Sequence, residues 1–383
     1  MKIAIVFDSL GYGGIESVGV NYIKLMLDMG HAVDVYNLHP NENSMVKQID
    51  SRAKYISLNF DRKICPDLYS YGVQKWWWGK FVYPVISIVL ELYLVIKKLR
   101  YNSQYDVAIA FSGHINDLTF VVKKFVKAKR KLCWCHGNIL SYLAICDAYP
   151  ILYRGIDGLV TLSDIGEQYI YGGHSFFYDK VIKKIYNPVL IKHKALNQHK
   201  IDDLKSKYGK FILMVARAAE PKDYKTAIKA ASLLKDKGEE HYIVFVGDGP
   251  ELKKYKQYAK TLKVQDLCIF EGSRDDVQNY IYASYVNLLA SKWEGLPTVI
   301  AEAMAMGKPC VMTKSDGGEI SDSGKYCYLV NIGDAEAICN ALLELFCDKE
   351  IYKTYENLSK MRFEFFEPEF IKKELSILLE GEQ

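Results

Sequence analysis

The sequence predicts an α/β fold of two doubly wound domains, each a parallel sheet flanked by helices. Short β-branched runs alternate with helix-length amphipathic segments, the pattern of successive βα units. A chain of 383 residues has room for two or three domains. One parallel sheet holding every strand candidate would be unusually wide, whereas two Rossmann-like sheets of ordinary size hold them all. Hydrophobic residues make up 50% and charged residues 25%, so core material is ample and disordered or fibrous classes are excluded.

The first strand is residues 2–7, an apolar run ending at Asp8, and it reads as a buried strand and not as a signal peptide. Further strands are expected at 32–38, 106–111, 131–135 and 158–162, then at 211–216, 242–247, 268–271, 286–290 and 309–313. Helices fit between them, for example at 18–29, 224–237, 250–260 and 296–306. The apolar run 81–96 is broken by Pro84, Ser87 and Glu91. A membrane span needs about 20 uninterrupted apolar residues, so this run is read as a crossover helix packed ahead of the strand at 106–111. Asn187-Pro188 and the polar, strand-free stretch 192–207 read as a linker, because proline forces the preceding residue out of helical geometry. The expected domains are therefore 1–187 and 188–363, with a closing helix in 364–383 packing back towards the first domain.

Charge and cysteine content exclude several classes. Fifty Lys and Arg against 46 Asp and Glu give a net charge of +4, too little to argue for nucleic acid. The charge is uneven: residues 1–190 hold 22 Lys and Arg against 16 Asp and Glu. Nine irregularly spaced cysteines, mostly in apolar runs, suit a reducing compartment and not a disulfide framework. Cys133 and Cys135 lack the spacing and the partners of a zinc site.

Several motifs fall at strand ends, the edge where open α/β sheets bind ligands. The first strand runs into Gly11-Tyr12-Gly13-Gly14-Ile15-Glu16, a glycine turn opening a helix, which suits an anion or simple close packing. Glu16 stands where a dinucleotide fingerprint would need glycine. Arg217 and Lys222 follow the first strand of the second half, two cations suited to a diphosphate. Gly247-Asp248-Gly249-Pro250 and Gly272-Ser273-Arg274 end the next two strands. After the fourth comes Glu294-Gly295-Leu296-Pro297-Thr298, with Glu302 eight residues beyond Glu294 on a helix stopped by Gly307 and Pro309. A carboxylate among small apolar residues needs hydrogen-bond donors, which a ribose diol would supply.

In this order and at these strand ends, the motifs resemble those of retaining glycosyltransferases of the GT-B fold, family 4. The E-x7-E pair is met by Glu294 and Glu302, the Arg-x4-Lys pair by Arg217 and Lys222, and the glycine loop by Gly13, Gly14 and Glu16. The resemblance implies two Rossmann-like domains facing across a cleft, the first binding acceptor and the second a nucleotide sugar. It implies that Arg217 and Lys222 hold the donor diphosphate, Glu302 the ribose hydroxyls and Glu294 the sugar hydroxyls. Gly295, Leu296, Pro297 and Thr298 would lie near sugar and phosphate; Gly247, Gly272, Ser273 and Arg274 would flank the nucleotide, and Gly13 and Gly14 the diphosphate. His136, in Cys-His-Gly, matches the family's histidine near the transferred sugar; a structural strand-end histidine is the plainer alternative. His114 and Glu16 are the acceptor-side candidates.

The reaction implied is transfer of a hexose, most commonly from a UDP-sugar, to a saccharide or lipid-linked acceptor of a bacterial surface polysaccharide or glycolipid. Cations and helix N-termini would stabilise the departing diphosphate. No Asp-x-Asp occurs in the chain, so no metal and no cofactor is expected. A GT-B-like nucleotide-sugar epimerase and a non-catalytic sugar-nucleotide-binding protein are the alternatives; Glu16 and the second-half motifs argue against a nicotinamide dehydrogenase. Trp76, Trp77 and Trp78, with Lys123, Lys124, Lys127, Lys129, Arg130 and Lys131, are read as a patch for peripheral contact with an anionic membrane. The expected location is the cytoplasm, at the inner face of the cell membrane.

Overall fold

The computed structural model describes residues 1–11, 13–60, 76–99, 101–145, 148–189, 196–294 and 296–381. They form two units, residues 1–188 with 368–383, and residues 189–367.

The first unit is a seven-stranded parallel sheet. Its strands are β1 (Lys2–Phe7), β2 (Ala32–Asn37), β3 (Lys54–Ser57), β4 (Gln104–Ala110), β5 (Lys127–Cys135), β6 (Gly158–Thr161) and β7 (Val181–Lys184), in the order 3-2-1-4-5-6-7. Apolar residues fill both faces of β1 and β4, as expected of strands covered by helices on each side. The helix Gly14–Asp28 packs closely on this centre: a Cβ on its Gly19 would lie 2.3 Å from the Phe7 ring. Trp134, Tyr22, Phe7 and Phe111 are fully buried and pack together around it, with the Tyr22 ring edge to face against Phe111 and Trp134. The closing helix Pro368–Glu380 belongs to this unit, and Arg130 donates to its terminal carbonyls at Leu378 and Leu379, 2.8 and 3.0 Å away.

The second unit is a six-stranded parallel sheet: β8 (Ile212–Val215), β9 (Ile243–Val246), β10 (Cys268–Gly272), β11 (Val286–Leu289), β12 (Cys310–Thr313) and β13 (Tyr328–Val330), in the order 10-9-8-11-12-13. In both sheets the winding reverses once, between β1 and β4 and between β8 and β11. At such a reversal the loops leaving the two central strands diverge to opposite faces and open a crevice.

All ten expected strands form. The three unanticipated ones, β3, β7 and β13, are edge strands covered on fewer sides, so they lack the continuous apolar run that marks the others. The described part of the stretch 192–207, expected to be a linker, is largely the helix Gln198–Tyr208, capped by Asn197 and ended by Gly209 at φ +59°, with Ile201, Leu204 and Tyr208 buried. The apolar run at 81–96 is the larger correction. It lies in the helix Gly79–Lys98, which does precede β4 as a crossover would, but only Gly79 and Leu94 are buried, so the helix is not packed in the core. At 20 residues it is also long and apolar enough to cross a membrane by length and composition.

Candidate functional site

In the second unit the loops after β8 and β11 bring Lys222 and Glu294 together. Pro221 accepts a backbone hydrogen bond from Lys292 at 2.8 Å, tying one loop to the other. Lys222 Nζ pairs with Glu294 Oε1, which also accepts from Ser291 Oγ at 2.7 Å. Ser291 is fixed in turn: its N–H donates to Thr313 Oγ1 at 2.8 Å, and that hydroxyl donates to the Ser291 carbonyl at 2.6 Å. The carboxylate is thus oriented from three strands' worth of structure before any ligand arrives.

Arg217 projects from the same loop, exposed, with no side-chain ion pair or hydrogen bond among the described residues. Its loop is shaped by Gly247 and Gly249: a Cβ on Gly247 would lie 2.0 Å from the Ala216 carbonyl oxygen, and one on Gly249 2.4 Å from that of Ala218. Gly247, at φ +142°, therefore has a packing reason of its own. Glu302 is half-buried on the helix Thr298–Ala305, which starts after Pro297, with Leu296 and Pro297 buried and Thr298 exposed. Gly295 lies outside the described residues. Gly272 (φ +72°) ends β10, and Ser273 and Arg274 are exposed beyond it. Arg274 pairs with Glu271, which also accepts from Tyr208 at 2.6 Å and Tyr280 at 3.1 Å. Burial pushes the Glu271 carboxyl up, but these hydrogen bonds outweigh it and hold the group below its ordinary value.

In the first unit the loops after β1 and β4 do the same with different residues. Asp8 accepts from His114 Nδ1 at 3.1 Å and from Asn116 Nδ2 at 2.6 Å, while His39 Nδ1 donates to the Asp8 carbonyl at 2.8 Å. Burial pushes the Asp8 carboxyl up, yet the bonds from His114 and Asn116 prevail and lower it. The bond to Asp8 raises His114 above its ordinary value against the pull of burial. His114 also caps the helix Ile115–Val122, where Asp117 accepts from the Gly113 and His114 N–H groups at 2.8 and 2.7 Å. Asp117 is fully buried, and that burial raises it to about 7.

His136 follows β5 and faces inward. Its Nε2 donates to the Phe111 carbonyl at 2.8 Å and its ring packs on Phe111 at 4.9 Å. Burial drives it down to about 4, so it is neutral at pH 7. Gly13 is the N-cap of the first helix, and Glu16 folds over it: a Cβ on Gly13 would meet Glu16 Oε2 at 2.1 Å, whereas one on Gly14 would meet nothing within 4 Å. Asp8, Asn116 and Ser291 were missed by sequence reasoning. Asp8 carried a signal, since it directly follows the central first strand.

The basic cluster is divided by its own partners. Lys129 bonds Asp106 at 2.8 Å, Lys123 pairs with Glu91, and Arg130 is spent on the closing helix. Lys131 is only partly exposed, and Lys127 bonds Asn102 at 2.9 Å. Among the described residues no three His, Cys, Asp or Glu side chains converge to hold a metal ion.

The two units are parallel Rossmann-like sheets, and the solved structures they resemble have the GT-B fold. Residues 197–362 match the model of the family described as glycosyl transferases group 1. The chain is 25% identical over 301 residues to the N-acetyl-alpha-D-glucosaminyl L-malate synthase of Bacillus anthracis, covering 76% of this chain and 78% of that protein. It is 26% identical over 369 residues to an uncharacterized glycosyltransferase of Haemophilus influenzae, covering 92% of each. The crystal structure of Anabaena HepE in complex with UDP shares the fold, with a TM-score of 0.75 over 100% of both chains at 18% identity.

Proposed function

We propose that this chain is a retaining, family 4 glycosyltransferase that moves a hexose from a UDP-sugar to a saccharide or lipid-linked acceptor in bacterial surface polysaccharide or glycolipid biosynthesis. The observation that carries the reading is the second unit's crevice, where Lys222 pairs with Glu294 and the same loop leaves Arg217 exposed, inside the segment matched by the transferase model. The UDP in the HepE structure supports the donor class.

Breaking the sugar–phosphate bond puts new negative charge on the departing diphosphate. Arg217, with no internal partner among the described residues, is available to it as a two-pronged donor, and Lys222 as a point charge. A diphosphate competing for Lys222 would release Glu294, still held by Ser291, to accept from a sugar hydroxyl. Glu302 serves the ribose. These fixed cations would do the work that other transferases give to a divalent ion, so turnover is metal-independent. In a retaining reaction a departing phosphate oxygen takes the acceptor proton. Asp8 and His114 then hold the acceptor hydroxyl, and neutral His136 offers only a hydrogen bond to the transferred sugar. The place of action is the cytoplasmic face of the membrane.

A panel of nucleotide sugars screened by thermal shift, followed by slow hydrolysis without acceptor, tests this. Release of UDP with an α-configured product from an α-configured donor, unchanged by chelator, is the expected result. An altered sugar still attached to its nucleotide would make the protein an epimerase, and binding without UDP release a non-catalytic module.

A further inference from the structure

The helix Gly79–Lys98 is turned inside out relative to an ordinary surface helix. At 3.6 residues per turn, the polar positions Ser87, Glu91 and Lys98 share a stripe with buried Leu94, and that stripe faces the unit. Glu91 is ion-paired with Lys123, and Leu94 belongs to the hydrophobic core. The opposite half of the circumference carries Phe81, Val85, Ile88, Val89, Leu92, Ile96 and Leu99, all exposed and without one charge among them. Phe81 is 75% exposed and Leu99 81%. An apolar face of this size in water marks a surface built to be covered.

What covers it is indicated by its two ends. At the amino end stand Trp76, Trp77 and Trp78, with Trp77 82% exposed, and Lys80 beside them. Tryptophan has an apolar body and a polar N–H, which suits the level of lipid headgroups. At the carboxyl end a cavity of about 790 Å³ is lined by Val95, Leu99 and Tyr101 on its apolar side and by Lys98, Lys124 and Lys127 on its polar side. An apolar wall beside three lysines, of which Lys127 also bonds Asn102 in the same lining, matches a lipid phosphate with the start of its acyl chains. A protein partner or a second copy of the chain would not call for this pairing of lysines with tryptophans.

We propose that this helix lies in the plane of an anionic phospholipid bilayer, its apolar face immersed, with a lipid phosphate seated among Lys98, Lys124 and Lys127. The ion pair and the buried Leu94 keep it docked on its own unit, which favours lying in the interface over crossing it. The inference is independent of the transferase reading, since it uses none of the crevice residues.

Flotation of the full chain with phosphatidylcholine vesicles, with and without phosphatidylglycerol, tests it in the absence of donor and acceptor. Binding to the anionic vesicles with a blue shift of tryptophan emission is expected. Val85→Glu with Leu92→Glu should abolish flotation. The triple variant Lys98→Gln, Lys124→Gln, Lys127→Gln should weaken binding to anionic vesicles about a hundredfold and leave neutral ones unaffected. Circular dichroism and UDP-induced thermal shift check that the variants are folded. No flotation on either vesicle overturns the proposal. So does a dimer of the parent chain that the glutamate pair converts to monomer without any vesicle binding, since that outcome assigns the face to a second copy.

Discussion

The two units place a charged pair at the same topological point and load it differently. At the reversal between β1 and β4 the pair is Asp8 with His114; between β8 and β11 it is Glu294 with Lys222. The first pair contains a histidine whose charge responds to pH near neutrality, next to an Asp117 that burial raises to about 7. The second contains a lysine and no histidine, in the loop that also carries the exposed Arg217. Topology thus fixes where a charged pair forms, while residue type sets the work proposed for it: positioning a hydroxyl in one unit, neutralising a leaving group in the other.

The largest expected break in this comparison is Lys222→Ala. Removing a fixed charge that acts on the leaving group should lower kcat by about a hundred- to a thousandfold, some 3–4 kcal/mol of barrier, with a much smaller change in donor affinity. Steady-state kinetics with the preferred donor would show it; an unchanged kcat would remove the charge-neutralising role from the second unit. Next is Gly247→Ala, a structural break. The added methyl would collide with the Ala216 carbonyl at a φ that L-residues rarely adopt, so the variant should lose about 3 kcal/mol of stability. Urea unfolding of the variant measures this, and a loss below about 1 kcal/mol would mean that the Arg217 loop is not held by that contact.

The central strands of both sheets were legible because burial on two faces writes a continuous apolar run, as in Ile3–Phe7 and Ile212–Met214. The edge strands were not, because Lys54–Ser57 and Val181–Lys184 need no such run. Glu294, Glu302, Arg217 and Lys222 could be picked out because their spacing follows strand ends. Ser291 could not: a serine becomes meaningful only once the fold points it at Glu294. The helix Gly79–Lys98 was misread for a physical reason. A polar stripe on an apolar helix is the same pattern whether the stripe faces water or protein, and only the Glu91–Lys123 pair decides.

A smaller effect should separate the two pairs. Asp8→Asn keeps the shape but removes the charge that raises His114, so transfer should fall roughly ten- to thirtyfold while acceptor-free donor hydrolysis stays near the parent rate. The pair's contribution to stability has a defined window. Asp8, lowered in the fold, stabilises above its ordinary 3.8 and ceases to as pH drops through its folded value. His114, raised in the fold, stabilises below its ordinary 6.5 and ceases to as pH climbs through its folded value. In Asp8→Asn the alkaline loss should begin at lower pH, seen as a shifted limb in a plot of Tm against pH. Equal losses of transfer and hydrolysis would tie Asp8 to the donor instead.

The smallest change on stability is expected at Gly14, and it is the most informative about the glycine turn. Gly14 opens the helix Gly14–Asp28, is exposed, and has nothing within 4 Å of the position a Cβ would take. Alanine there meets no steric objection and suits a first helical position, so Tm should be unchanged, within about 0.5 kcal/mol in free energy. Gly247 differs in every respect, since its methyl would meet backbone. If the turn merely packs, as Gly247 does, Gly14→Ala is silent in kinetics as well. If its N–H groups approach the donor diphosphate, the methyl intrudes on the ligand and the donor KM rises severalfold with Tm unmoved. The second outcome is expected on the proposed reading, and among the described residues no contact accounts for a glycine at that position. A donor KM equal to the parent's would remove anion binding from this turn.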